Sequence, residues 1–467
     1  VSDPIDQAGI DILTQVAQVD QKVGLSIEQL KDIISDYDGL MIRSGTQVTS
    51  DVIAEAKNLR IIGRAGVGVD NVDVPAATRK GVLVVNSPGG NTIAAAEHAL
   101  AMILALSRNI PQAHASMFSG GWDRKKYVGN ELYKKTLGVV GLGKIGSHVA
   151  KVANAMGMEV IGFDPFVSIE RAQQMQVRLS DIEELFKLSD YVTLHLPRTT
   201  ETENLVNIDL LKKMKPTARL VNCARGGIIN ENDLANALEA NVIKGAAIDV
   251  FAKEPLNEGS PLRSVKEGLV LTPHLGASTV EAQQNVAIDV AEQIRDVLLG
   301  LPARSAVNIP GLSAEIMDSL KPHLKLAETL GLLVSQISGG QIQKLEVRLQ
   351  GEFAQHPSQP LVIATLKGLL TSALGDKINY VNASLEAKGR GIDVVEIKDE
   401  LSPEFARGSL QLDSFSDKGG HSVSGTVFGD GDLGITSIDE YPISFVPSRH
   451  MLFTRHRDMP GIIGQIG

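Results

Sequence analysis

The chain has 467 residues, 43% of them hydrophobic, with 45 basic and 55 acidic side chains and a net charge of −10. That length suggests about three domains with packed cores, and the acidic balance excludes a general nucleic-acid role, leaving local basic pockets as the exceptions. The single cysteine excludes an internal disulfide and fits a reducing compartment, a cytoplasm or a plastid stroma, and no apolar run has the length of a membrane span.

Both ends look cut: VSDPID opens without methionine as a strand already under way, and RHRDMPGIIGQIG closes on a helix just begun. The first part alternates helix and strand. SIEQLKDIISDY is an amphipathic helix, YDGLMIRSG a strand, DVIAEAKNL a helix, RIIGRAGVG a strand with a glycine turn, and GVLVVNSPGG another strand. That rhythm predicts a parallel sheet covered on both faces. A long apolar helix from Thr92 to Ile110 then carries the chain to a second βα block. Six short strands follow, in KTLGVVGLGKIG, EVIGFDP, DYVTLHLP, ARLVNCARGG, KGAAIDVF and GLVLTPHLG, before the helix STVEAQQNVAIDVAEQIRDVLLG returns the chain to the first lobe near AVNIP. Two lobes joined by two crossing helices imply a cleft between them. After Pro310 the pattern becomes α+β: a helix in EIMDSLKPHLKLAETLGLLVSQI, a strand in QKLEVRLQGEF, and glycine-rich hairpins up to Tyr441.

Gly141, Gly143 and Gly146 of GLGKIG fit G-x-G-x-x-G. The context gives the pattern its force, because a strand precedes it, a helix follows, and the next strand ends in Asp164. Such glycines let backbone approach a pyrophosphate at a helix N-terminus, and the acidic residue about 20 positions on accepts from the adenosine ribose. Asp164 repels a 2′-phosphate and no cation follows it, which favours NAD over NADP. Arg225, set at a strand tip in VNCARGGIIN, needs an anion, since an unpaired buried cation is costly. A 2-hydroxy acid supplies one, its carboxylate matching the guanidinium fork. His274 in LTPHLGAS then suits an acid/base and Glu254 in VFAKEPL a partner that fixes its tautomer, all three beyond strand ends where ligands bind in open α/β sheets. Taken singly, each also has a structural explanation. His98 and His148 read as packing or surface residues and His195 as a strand-end structural residue.

GLGKIG…FDP, NCARGG, AAIDVFAKEPL and PHLGAST, in this order, resemble the D-isomer-specific 2-hydroxyacid dehydrogenases over roughly residues 1 to 310. The resemblance implies two Rossmann-like or flavodoxin-like parallel-sheet lobes around a cleft, NAD as cofactor, and an Arg225–Glu254–His274 catalytic set. It adds cofactor contacts at Lys144, Ile145, Leu196, Cys223, Ala224, Asp249, Gly276 and Ala277, with Cys223 acting through its backbone. MIRSGTQVT and GRAGVGVDNVD are similar to members that act on 3-phosphoglycerate. That implies a carboxylate cradle at Gly66, Val67 and Gly68, phosphate contacts from Arg43, Ser44 and Arg64, and Arg124 reaching a neighbouring subunit's pocket. The substrate-binding domain is then 1–91 with 286–310, the NAD-binding domain 92–285, an α+β intervening regulatory domain 311–448, and the start of an ACT domain 449–467. The ACT likeness implies serine as effector, near His456 and Asp458, at a site the segment ending at Gly467 does not complete. The apolar Thr92–Ile110 helix implies a homodimer or homotetramer. Two other readings stay open: a hydroxypyruvate or glyoxylate reductase of the same family, and an NAD-sensing corepressor-like binding protein.

Overall fold

A computed structural model describes residues 1–309, 314–399, 408–429, 431–454 and 464, and arranges its strands in three sheets. The first is parallel, in the order β1 (Gly39–Ile42), β2 (Ile61–Arg64), β3 (Leu83–Asn86). These strands are short apolar runs because both faces are covered. One face receives Val286, Ala287, Val290 and Ile294 of the helix Val280–Leu298. The helix Gln7–Thr14 lies so close that a Cβ on Gly9 would sit 2.9 Å from the Ala287 carbonyl. The expected opening strand does not form. Ser2 N–H donates to Met41 C=O at 3.2 Å, but Pro4 has no N–H to extend a ladder and the helix begins at Gln7.

The second sheet is wholly parallel: β4 (Thr136–Val140), β5 (Glu159–Phe163), β6 (Arg178–Leu179), β7 (Tyr191–Leu194), β8 (Arg219–Asn222), β9 (Gly245–Ile248) and β10 (Leu269–Leu271). Its order is β10-β9-β8-β7-β4-β5-β6, so the chain reverses direction beside β4 and opens a crevice at that strand's carboxyl end. Six of the seven strands match the expected ones. β6 is a two-residue edge, too short to leave a period in the sequence. One face is covered by Thr92–Arg108 and Lys144–Ala155, through Ala99, Met102, Ile103, Val149 and Ala153, and the other by helices carrying Leu185, Phe186, Leu211 and Leu234. Each large apolar side chain removed from water in this way contributes about 1.5–3 kcal/mol. After Val280–Leu298 the chain returns to the first sheet, where Asn308 accepts from Val84 N–H and donates to Val82 C=O, both at 2.9 Å.

The third sheet runs β12-β11-β13-β14-β15-β16, with β11 (Ile342–Gln350), β12 (Asp393–Asp399), β13 (Ser409–Ser416), β14 (Gly419–Val427), β15 (Leu433–Ile438) and β16 (Tyr441–Phe445). Only β11 and β12 pair in parallel. Leu345, Val347 and Leu349 alternate inward from β11 onto the helices Lys321–Ser338 and Ser358–Leu374. Those helices touch at glycines: a Cβ on Gly368 would collide with the Glu328 carbonyl. The single helix expected after Pro310 is two, Ala314–Ser319 and Lys321–Ser338, because Pro322 sits in the first turn of the second and withholds an N–H. No single helix among the described residues is long and apolar enough to cross a membrane. His456 and Asp458 lie outside the described residues.

Candidate active site

The glycine loop follows β4. Gly141 has φ +95°, and a Cβ there would collide with the His195 carbonyl, while one on Gly146 would collide with Gly141 C=O. Those two glycines serve close packing of strand, loop and helix. Gly143 is different, since nothing lies within 4 Å of where its Cβ would be, and it caps the helix that starts at Lys144. An exposed glycine with free space at a helix N-terminus fits a pyrophosphate. Asp164 ends the next strand and is held by its neighbours, accepting from Leu142 N–H at 2.8 Å and from Phe166 N–H at 2.9 Å. Each oxygen keeps acceptor capacity for a ribose hydroxyl.

Opposite this loop, the tips of β8, β9 and β10 bring three side chains together. His274, three residues past β10, has φ +55°, an unusual conformation for a non-glycine residue, pinned by its N–H donating to Asp249 C=O at 2.8 Å. Its Nδ1 meets Glu254 Oε2 at 2.7 Å, and the other carboxylate oxygen accepts from Phe251 N–H at 3.0 Å. A carboxylate only accepts, so Nδ1 carries the proton and Nε2 faces outward as the free lone pair. The Glu254 hydrogen bond outweighs burial and raises the His274 pKa above its usual 6.5. Burial pushes the Glu254 pKa up, but the His274 and Phe251 hydrogen bonds prevail and leave it lowered.

Arg225, three residues past β8, finds Asp70 of the first lobe, its Nε 3.4 Å from Asp70 Oδ2, while Nη1 donates to Ala224 C=O at 2.7 Å. The cleft is therefore bridged by an ion pair. Gly68 lies against this pair: a Cβ there would meet Arg225 Nη2 and sit 2.6 Å from Asp70 Oδ2, so one of the two side chains would have to move. The Gly66–Gly68 loop and Arg225 therefore lie side by side. Arg64 folds beneath Gly66 at the end of β2; burial, then the charge of Arg225, push its pKa down to about 10, with Arg43 adding to the effect. Its Nε is buried without a hydrogen-bond partner. Three arginines from three strand ends share one electrostatic field. Val67 C=O accepts from the Asn86 amide, Ser44 is exposed beside Arg43, and Arg124 lies in an exposed loop with no bond among the described residues joining it to this cluster.

Asp249 is fully buried under the His274 loop, accepting from Thr272 Oγ1 at 2.6 Å, Leu275 N–H at 2.8 Å and Gly276 N–H at 2.9 Å. His98 Nε2 lies 3.2 Å from the same carboxylate and 3.3 Å from Thr272 Oγ1. This corrects the reading of His98 as packing or surface: it props the loop that carries His274. Its spacing was the available signal, since it sits three residues after buried Ala95 and four before buried Met102. Asp70 had no comparable signal. His195 is structural as expected, bonded to Thr193 Oγ1 at 3.0 Å and pushed by burial down to about 4, hence neutral. Burial raises the Cys223 thiol pKa strongly, so it is no nucleophile. Leu196, Ala224 and Ala277 are half-buried and Lys144 is exposed at the rim of the glycine loop.

Residues 100–276 match the family described as D-isomer specific 2-hydroxyacid dehydrogenase, NAD binding domain. The chain belongs to the D-isomer-specific 2-hydroxyacid dehydrogenases and is an NAD-dependent enzyme. Residues 319–439 match the D-3-phosphoglycerate dehydrogenase intervening domain. Among similar proteins, the D-3-phosphoglycerate dehydrogenase of Synechocystis sp. is 60% identical, over all of this chain and 84% of that protein. Those of Methanocaldococcus jannaschii and Bacillus subtilis are 44% and 40% identical, each over all of this chain and 88% of theirs. Of solved structures, the TT0316 protein of Thermus thermophilus is similar with a TM-score of 0.61 and 32% identity, over 66% of this chain and 98% of that one.

Proposed function

We propose that the chain oxidises 3-phosphoglycerate to 3-phosphohydroxypyruvate, the first step of L-serine synthesis, in the cleft between Arg225, Glu254, His274 and the Gly66–Gly68 loop. The observation that carries this reading is the arginine cluster at the cleft: Arg225, paired with Asp70 across it, acts to lower the pKa of both His274 and Arg64, and Arg43 adds to the effect on Arg64. A substrate with a carboxylate at one end and a phosphate at the other needs cations at both ends of the reacting carbon. Arg225 and the loop amides hold the carboxylate, exchanging Asp70 for the substrate, while Arg43, with Ser44, and Arg64 take the phosphate.

Bound NAD supplies the acceptor for the hydride of C2. His274 Nε2 takes the hydroxyl proton, and Glu254 stabilises the imidazolium that results. Glu254 and Phe251 N–H fix the ring so that the base points into the cleft. Gly143, with Lys144 and Ile145 at the helix N-terminus, would hold the pyrophosphate on a loop that Gly141 and Gly146 let pack closely, and Asp164 would receive the ribose. Leu196, Cys223, Ala224, Asp249, Gly276 and Ala277 border the cofactor further along. Closure of the lobes excludes water from the hydride path.

The remaining proposals concern organisation. The domains divide as 1–91 with 286–310, 92–285, 311–448 and 449–467. The protein is a homodimer or homotetramer joined through Thr92–Arg108 and its continuation, where Ile110, Phe118 and Trp122 are 53%, 83% and 77% exposed. Arg124, in the same exposed segment, then reaches the partner's pocket. Serine is the effector, and the protein works in a cytoplasm or plastid stroma. The test of the reaction is product identity: purified chain, 3-phosphoglycerate and NAD should give a phosphorylated 2-oxo acid by mass spectrometry. NADP should give far less. A product formed only from unphosphorylated acids would refute the substrate, and no product from any acid would refute the catalytic roles.

A further inference from the structure

In the domain that follows the catalytic lobes, three chemistry-bearing side chains converge away from the cleft. His323 lies in the first turn of the helix Lys321–Ser338, Glu352 opens the helix Glu352–Gln355, and His356 follows that helix directly. One nitrogen or oxygen from each lies within 4.8 Å of the other two. The fold fixes the group. Gly351, with φ +57° and its N–H bonded to Asp399 C=O at 3.0 Å, turns the chain into the short helix, so Glu352 and His356 stand one turn apart on the same side. Buried Phe353 anchors that helix in the core and packs edge-on to the His323 ring at 4.8 Å between centroids; the two imidazoles are 4.9 Å apart.

Two atoms in this cluster have no explanation in the fold. His323 Nδ1 and His356 Nε2 are each buried from solvent and make no hydrogen bond. A buried polar atom without a partner is costly and calls for a ligand. Glu352 is exposed, which leaves one side open to water.

We propose that His323, Glu352 and His356 bind a divalent transition-metal ion, zinc by preference, that clips the helix Lys321–Ser338 to the turn after β11. Two imidazoles with one carboxylate suit zinc, and zinc–nitrogen bonds of about 2.0–2.1 Å put donors about 3.4 Å apart, within a rotamer adjustment of the separations here. In the other convergent set, His98, Cys223 and Asp249, the carboxylate and the imidazole are committed to the active-site loop by the hydrogen bonds already described.

The test is calorimetric titration of zinc chloride into tag-free, chelator-stripped full chain. It compares wild type, the double variant His323→Gln with His356→Gln, and the exposed-site variant Glu352→Gln. Wild type should take up an ion that the double variant does not, with affinity at least about tenfold weaker in Glu352→Gln. Cobalt should give visible bands of a four-coordinate site in wild type alone, and dehydrogenase turnover should be the same in all three proteins. Equal zinc uptake by wild type and the double variant, or none by wild type, overturns the site. Unchanged affinity in Glu352→Gln, whose side chain supports no packing, removes the carboxylate from it and overturns the three-ligand assignment.

Discussion

Replacing Glu254 by glutamine removes a charge while keeping shape, and its effect follows from the two bonds the carboxylate makes. Oε1 accepts from Phe251 N–H at 3.0 Å and Oε2 from His274 Nδ1 at 2.7 Å. An amide has one oxygen. If it stays on Phe251, the NH2 group faces Nδ1 and drives the ring proton to Nε2, which turns the base away from the substrate hydroxyl. At 2.7 Å two unit charges attract by roughly 1.5 kcal/mol in water and roughly 6 kcal/mol at an effective dielectric of about 20. With His274 49% and Glu254 36% exposed, the lower end applies, on the order of 1–2 kcal/mol. Because Glu254 raises the His274 pKa, neutral His274 is scarce at low pH and oxidation should rise as pH passes that raised value. In Glu254→Gln the acid limb of kcat/KM should therefore move to lower pH. The plateau kcat should fall by roughly 10²–10⁴ from the wrong tautomer. The assay is initial-rate NADH formation across pH. An unshifted acid limb with kcat within about threefold of wild type would refute the reasoning.

Arg225→Lys trades a fork for a point charge, so KM for the hydroxy acid should rise at least about tenfold, measured by steady-state kinetics; an unchanged KM would remove Arg225 from carboxylate binding. Asp70→Asn frees Arg225 of its resting partner and should lower that KM about two- to fivefold, the scale of an exposed ion pair. A raised KM would mean that Asp70 orients Arg225 instead of competing with the substrate. Asp164→Ala loses both the ribose acceptor and the Leu142 anchor, and should weaken NAD about tenfold while narrowing the NAD-to-NADP ratio. Equilibrium cofactor binding by fluorescence checks it, and an unchanged preference would contradict the role given to Asp164.

Residues placed by local rules are legible in the sequence. Gly141, Gly143 and Gly146 sit between a strand and a helix, and Arg225, Glu254 and His274 follow apolar runs that end in turns, so their strand tips can be read before any contact is known. What the sequence does not disclose depends on distant chain segments meeting. Asp70 reaches Arg225 only because two lobes face each other, and no spacing encodes that. His98 is misread because a polar residue on an apolar helix face resembles a satisfied core histidine until Asp249 and Thr272 are seen beside it. β6 escapes because two residues carry no alternation. The break before Pro322 is passed over although the proline is in plain view, because the apolar periodicity continues on both sides of it.

The central claim is that the cleft turns over a phosphorylated 2-hydroxy acid, and it is tested most directly by one comparison. NADH formation is followed with 3-phosphoglycerate and with D-glycerate, for wild type and for Arg43→Glu. The account predicts strong preference for the phosphorylated acid in wild type, lost on charge reversal, with any turnover of D-glycerate spared. Equal or better turnover of D-glycerate by wild type, or an Arg43→Glu enzyme as active on 3-phosphoglycerate as its parent, would contradict it.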